Sequence, residues 1–412
     1  MRASRAGLAV LAFAGLGLAG TADPGCAQTL PSAAQNGGEN GEAARRSERT
    51  LTVTLTYTSD ANADVSGGAR TGSAYLQRIG LIGDADLAHA IGWNGATAHI
   101  SFQSIVGTGL SASRVGNLLT VSGIEAPPAL RLFNVWVEQK VGSATSVRVG
   151  QFSAGQEFSI SPTANLFVNS TFGWPGSFAT DLPGGGPAYP ISVPGARLAT
   201  TFDGGKTTAR IAVFTGNPPG RDVHGFAAWR FDQPPLAIAE VARSAGGDDP
   251  AWTFVLGGWA SFDRFADLRS PTGRLLRGDQ AVYVIGDARL WRRAGRSLRG
   301  FARFSASPAN RNLIGVYGDV GASLTGLIAA RPKDVMGLAI AVAGLSPMTP
   351  AIPGPIASPP PEMAIEASYQ ANFGKGFSLQ PNAQLILNPY NANTATSQRR
   401  AIVIGLRTAF RL

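Results

Sequence analysis

The chain has 412 residues, 44% of them hydrophobic and 15% charged, with 35 Lys+Arg against 26 Asp+Glu and one cysteine. The apolar content is ordinary and has to be buried somewhere. A lone cysteine excludes an intrachain disulfide framework, and the formal charge of +9 comes from arginines scattered singly, without the Lys/Arg cluster that would point to nucleic acid.

In chain order, residues 1–27 read as a secretory signal. Arg2 and Arg5 supply a positive start and Ala6–Gly20 an uncharged apolar run, while Gly25 and Ala27 place small residues before a cleavage point at Gln28. That run is shorter than the ~20 residues a helix needs to span a bilayer. Cys26 follows Asp23-Pro24-Gly25, a poor polar approach for a lipoprotein acceptor. Cleavage after Ala27 removes the cysteine and both arginines, taking the formal charge from +9 to +7. Residues 28–48 are polar and read as a disordered periplasmic lead-in. No later segment approaches ~20 consecutive apolar residues, so no transmembrane helix is expected.

From residue 49 onward the pattern is one of strands. Leu51, Val53, Leu55 and Tyr57 alternate with Thr52, Thr54, Thr56 and Thr58, a period of two with one apolar face. A soluble sandwich would turn that face to its core, a membrane barrel to lipid. The period-2 runs predict sixteen strands, at 50–58, 73–83, 95–104, 130–140, 146–152, 195–202, 207–215, 235–244, 251–262, 279–291, 297–306, 314–327, 335–344, 362–373, 376–388 and 400–411. The number is even, as single-chain bacterial barrels require, and long connections after odd strands alternate with short ones after even strands. That rhythm separates extracellular loops from periplasmic turns and puts both termini in the periplasm. Asp203-Gly204-Gly205-Lys206, Arg293-Ala294-Gly295-Arg296 and Gly374-Lys375 supply the glycine that tight hairpins need. The proline-rich stretch 346–361 cannot lie inside a sheet and is expected in an exposed loop. The last strand sets Ile402, Ile404, Leu406 and Phe410 against Ala401, Val403, Gly405 and Arg407 and ends on Leu412. The fold expected is all-β: an outer-membrane antiparallel β-barrel over 49–412, with extracellular loops folded inward.

Several stretches, taken together, resemble the carbohydrate-selective porins of the OprB type. They are RLFNVWVEQKV (131–141), VRVGQFSAGQEF (147–158), NLFVNSTFGWP (165–175), PAYPISVPGARL (187–198), SASPANRNLIGVYGDVG (305–321) and LQPNAQLILNP with AIVIGLR (379–407). The chain departs from the family in its terminal leucine and in lacking an N-terminal helical segment that some members carry. The resemblance implies a bacterial outer-membrane channel whose lumen is narrowed by inward loops and passes mono- or small oligosaccharides.

A sugar-selective pore needs polar side chains for hydroxyls and an aromatic ring for the apolar sugar face. In the hairpin 130–152, alternation places Phe133, Val135, Val137, Val141, Val147 and Val149 toward lipid. It turns Asn134, Trp136, Glu138, Lys140 and Arg148 inward. Trp136 beside Glu138 and Arg148 is a candidate sugar subsite; the alternative is a structural charge ladder with Trp136 in an aromatic girdle. Arg78, His99, Gln103, Arg197, Arg210, Arg303 and Arg407 are further lumen-facing residues, because charge on the lipid face at the midplane costs ~2–4 kcal/mol. Loop 153–194 is long enough to fold inward and narrow the pore, with Phe167, Asn169 and Trp174 as constriction candidates alongside Phe158, Phe172 and Tyr189.

Enzyme readings find little. Three histidines without HExxH spacing give no metal site, no cofactor motif is present, and Gly205-Lys206-Thr207 reads as a turn because Thr200 stands where a phosphate loop needs glycine. His99 and Ser101 share a strand face, but no orienting acid is evident for a hydrolase. Two rivals stand beside the sugar channel: an anion-preferring general porin, drawn from the positive charge, and a plugged barrel with an enzymatic or structural role. The expected partners are small sugars and outer-membrane lipid. The preferred sugar and the oligomeric state are left open.

Overall fold

The computed structural model describes residues 50–218, 222–270, 272–348, 360–390 and 399–412. The signal and lead-in expected at 1–48 lie outside the described residues, as does the middle of the proline-rich stretch 346–361.

Sixteen antiparallel strands close into one barrel: β1 (Leu51–Gly67), β2 (Gly72–Asp86), β3 (Ala96–Gly107), β4 (Ala129–Val141), β5 (Thr145–Phe152), β6 (Val193–Phe202), β7 (Thr207–Phe214), β8 (Leu236–Ser244), β9 (Trp252–Ala266), β10 (Leu275–Arg293), β11 (Arg296–Ala306), β12 (Ile314–Thr325), β13 (Val335–Leu345), β14 (Glu362–Asn372), β15 (Ser378–Leu387) and β16 (Arg400–Arg411). Each strand pairs with its sequence neighbours, and β1 closes the ring on β16 with Tyr57 opposite Phe410. Closure leaves no sheet edge, the only way a β-structure satisfies its backbone groups in hydrocarbon. Alternation sorts the side chains as expected. On β16, Ile404 and Leu406 are exposed on the outer wall, while Ala401, Val403 and Arg407 are buried inside.

All sixteen strands occur where period 2 places them, but the loop rhythm is less regular than expected. The largest difference is β1, which runs on to Gly67 and leaves only residues 68–71 before β2. The extension Ser59-Asp60-Ala61-Asn62-Ala63-Asp64 is composed of turn formers, yet it alternates: Asp60, Asn62 and Asp64 are buried inside. Small alanines on its outer face hide the apolar stripe that marks the other strands. Conversely, the connection 87–95 after β2 carries a short helix, α1 (Leu87–Ile91), capped by the Asp86 carboxylate. Long connections remain at 108–128, 153–192 and 215–235, against tight turns at 142–144, 203–206 and 294–295. The tight turns mark the periplasmic end.

A bulge in β4 corrects the predicted lipid face. Between Ser101 and Phe102 of β3 the register shifts, Ser101 pairing with Asn134 and Phe102 with Leu132, so Phe133 is the extra residue. A bulge re-aims the side chain it carries. Phe133 is buried with Ile105, Ala126 and Tyr189 inside the barrel and does not face lipid. Below the bulge the register Val137 opposite Val149 and Glu138 opposite Arg148 is as alternation requires.

Candidate functional site

Two connections turn from the extracellular rim into the lumen. Residues 153–192, between β5 and β6, form single 3-10 turns and one short helix, α2 (Gly176–Asp181). Their aromatic residues form an internal core against the wall. Phe167 packs on Phe172 and on Phe301 of β11. Trp174 packs edge-on to Phe178, which in turn meets Trp259 of β9 and Tyr283 of β10. Residues 108–128, between β3 and β4, enter as well, and Leu118, Leu119 and Val121 join the cluster that holds Phe167 and Phe172. This second inward segment was not anticipated. Its sequence signal is the run Leu118-Leu119-Thr120-Val121, too apolar for a loop that stays in water.

An irregular segment inside a barrel carries backbone N–H groups that need acceptors. The wall supplies them as carboxylates. Glu362 accepts from the amides of Leu118 (2.9 Å) and Leu119 (2.7 Å). Glu366 accepts from Val168 and Asn169, each at 2.7 Å, and Asp287 from Thr163 at 2.9 Å. Glu240 accepts from Ser159 at 2.9 Å. Charged acceptors make these bonds about twice as strong as neutral ones. Arg303, ion-paired with Asp319, donates to the carbonyls of Ser159, Thr171 and Gly173. On the segment itself, Glu125 accepts from the amides of Leu110 and Ser111, and burial still pushes its carboxyl up to about 7.

The constriction candidates therefore take a different position from the one expected. Phe167, Asn169 and Trp174 lie on the inward loop, but all three are fully buried. Asn169 donates to Leu119 O (2.9 Å) and Gln384 Oε1 (3.0 Å), and the Trp174 indole donates to Gly185 O (3.1 Å). They hold the loop in place and line no passage.

A cluster of polar groups with accessible atoms lies nearer the periplasm, on the β3–β6 wall. Trp136, Glu138, Arg148 and Arg197, four of the six lining candidates, come together there. Arg148 donates through Nε to Glu138 Oε2 at 2.8 Å and also pairs with Glu157. Arg197 reaches the same Glu138 oxygen at 2.8 Å and Glu157 Oε2 at 3.2 Å. Glu157, not singled out from the sequence, comes from the start of the inward loop and caps the cluster. The side chains of Glu138 and Arg148 remain 21% and 17% exposed, whereas Arg197 is 5%. Two guanidinium groups thus share two carboxylates.

Trp136 points inward, as alternation requires, but protein covers its faces. The His99 ring from β3 stacks on it with centroids 4.7 Å apart and planes 5° apart. The Arg148 guanidinium from β5 lies 3.7 Å from its centroid. Its ring partners are thus His99 and Arg148 of the protein itself. His99 is itself held by Asp84, Nδ1 to Oδ1 at 2.7 Å. An orienting acid for His99 thus exists, but the Ser101 hydroxyl accepts the amide of Asn134, and no bond joins Ser101 to His99 among the described residues.

The remaining two candidates stand apart from this cluster. Asn134 is buried and donates to Gln156 Oε1 of the inward loop at 3.0 Å. Arg78 lies 5.4 Å from the Tyr189 ring centroid, where Arg131 also donates to Pro190 O. Arg407 is ion-paired with Asp60.

The sequence model of the carbohydrate-selective porin, OprB, family matches residues 70–412. The high-pH structure of Pseudomonas putida OprB superposes with a TM-score of 0.80 at 20% identity, covering 91% of this chain and 97% of that one. Its low-pH structure gives 0.57 at 16% identity, over 92% and 98% of the two chains. Salmonella typhi OmpF, in complex with daunomycin, gives 0.52 at 8% identity, over 88% and 97%. At these identities the superpositions speak to fold. No curated protein sequence matches the chain. A matched family model, a closed sixteen-strand barrel and an inward-folded loop agree: this chain belongs to the OprB family of carbohydrate-selective porins and sits in the bacterial outer membrane.

Proposed function

We propose that small neutral sugars cross this channel passively past the wall formed by Glu138, Arg148 and Arg197, with Arg148 as the main contact group. The observation that carries this reading is the charge balance of the cluster. Arg148 and Arg197 are matched by Glu138 and Glu157, so this cluster presents no net charge. A neutral solute bearing many hydroxyls gains donors and acceptors there, while an anion gains no field to attract it. Stacking between Arg148 and Trp136 keeps the guanidinium flat and limits the rotamer freedom that sugar binding would otherwise have to freeze. Binding at a few such contacts stays weak enough for release, as permeation demands. The reading assigns the chain no catalytic residue and no cofactor. The anion-preferring rival rests on net charge alone, whereas the arginines of this cluster are paired.

The test is single-channel recording in planar bilayers with added glucose or maltose. Arg148→Ala is expected to raise the sugar concentration for half-maximal block about tenfold, the loss of a charged hydrogen-bond partner being worth ~1.5–3 kcal/mol, while the open pore persists. Strong anion selectivity in a salt gradient, together with no sugar block of the unaltered channel, would overturn the reading in favour of an anion porin.

A further inference from the structure

We propose that the outer wall carries a binding site for one anionic phospholipid of the periplasmic leaflet, at the end of the β10–β11 hairpin. The first observation is a groove of about 870 Å³ on the membrane-facing side of β9–β13. Gly286, Gly300 and Ala322 form its floor, and Trp252, Leu290 and Leu338 stand along its sides. It is an indentation in a surface that must meet hydrocarbon, and a lipid chain fits it in shape and chemistry.

Packing does not account for the missing side chain at Gly286. A Cβ built on Gly286 would meet no atom within 4 Å, so the position could hold a larger residue and instead leaves the groove open. Leu290, further along β10, lies close over Gly300 of β11, its Cδ1 3.0 Å from where a Cβ would sit. Leu290 reaches that place because β10 is bulged between Arg289 and Trp291. The bulge also brings Trp291 opposite Leu298 on the outer wall, 44% exposed, where a tryptophan suits the membrane interface.

The second observation is charge. Continuing toward the periplasm, Arg293 pairs in register with Arg296 across the turn, on the same outer face as Trp291. With a rise of ~3.4 Å per residue, they stand roughly 7–10 Å beyond the end of the groove, the depth of a phosphate when the acyl chain lies in it. The neighbouring arginines have carboxylate partners: Arg289, Arg292 and Arg299 all reach Asp249, and Arg299 also reaches Asp287. Arg293 and Arg296 are exposed and form no ion pair among the described residues. Two like charges facing each other across strands repel, and a phosphate between them relieves that repulsion. An apolar trough, an interfacial tryptophan and two unmatched guanidinium groups in line describe acyl chain, glycerol and phosphate in that order.

The experiment is native mass spectrometry of the full-length purified channel in detergent. Phosphatidylglycerol or phosphatidylethanolamine with the same acyl chains is added at equal concentration, and inorganic phosphate serves as a control for headgroup-only binding. The unaltered protein is expected to retain one phosphatidylglycerol in preference to phosphatidylethanolamine. R293Q/R296Q should lower that retention roughly tenfold or more, since each arginine near a membrane surface contributes about a factor of five. G286F, which fills the groove without touching the arginines, should lower it as well. Heat-modifiable migration and open-pore conductance should stay unchanged in both variants, because neither faces the lumen. Retention that is the same for both lipids in the unaltered protein, or undiminished in either folded variant, would overturn the proposal.

Discussion

Two arginine–carboxylate pairs on opposite walls of the barrel look alike in sequence and differ in consequence. Arg303 and Asp319, on β11 and β12, are almost completely buried, at 2% and 0% of their side-chain surface. The guanidinium spends its other donors on carbonyls of the inward loop. Arg148 and Glu138, on β5 and β4, have the same cross-strand relationship, but no loop backbone covers them and both reach solvent. The first pair is a clamp for the loop, and the second is available to a solute. Alternation puts all four side chains inside, yet only the path of loop 153–192 decides which pair is covered.

The largest effect is expected from Asp319→Ala. It leaves Arg303 charged and buried without its counter-ion, which costs ~3–5 kcal/mol, and it also removes the acceptor of the Tyr317 hydroxyl at 2.8 Å. Heat-modifiability on gels should show a large loss of folded barrel. A variant that folds as stably as the parent would show that the clamp contributes little.

A middle-sized effect is expected at Trp136. With alanine there, Arg148 loses a stacking surface worth ~0.5–2 kcal/mol, and His99 loses its ring partner. Sugar block should weaken several-fold with little change in assembly. In the double variant with Arg148→Ala, the two losses should not add, because the tryptophan acts through the arginine. Fully additive losses in channel recordings would mean that the indole touches sugar directly.

The smallest effect concerns pH. Burial raises the Glu125 carboxyl from 4.5 to about 7, so the folded protein holds a proton that the unfolded chain has already lost in that interval. The resulting stabilisation is full below about pH 4.5 and declines as pH rises through about 7. Glu125→Gln should flatten this part of the stability profile between pH 5 and pH 8, measured by thermal unfolding of the detergent-solubilised barrel. An unchanged slope would place the titrating group elsewhere.

Much of the barrel was legible because strands facing lipid on one side repeat every two residues, and the energetic cost of breaking that repeat is local. Strand β16 shows this best. The extension of β1 was readable only in part. Asp60, Asn62 and Asp64 keep the period, but turn-forming residues and outward alanines conceal it. The inward direction of Trp136, Glu138, Arg148 and Arg197 also follows from alternation alone.

Period 2 alone settles which residues of the regular strands face lipid and which face the lumen, since a one-residue slip would carry charge into hydrocarbon. Tertiary structure decided the rest. The bulge that turns Phe133 inward depends on β3 as much as on β4. The contacts on the Trp136 ring depend on His99 and Arg148, which come from the two neighbouring strands. Burial of Phe167, Asn169 and Trp174 depends on wall residues more than a hundred positions away, such as Phe301 and Glu366. Period 2 encodes a direction relative to the sheet and nothing about what waits on the other side of the lumen; those contacts exist only once the barrel has closed around its loops.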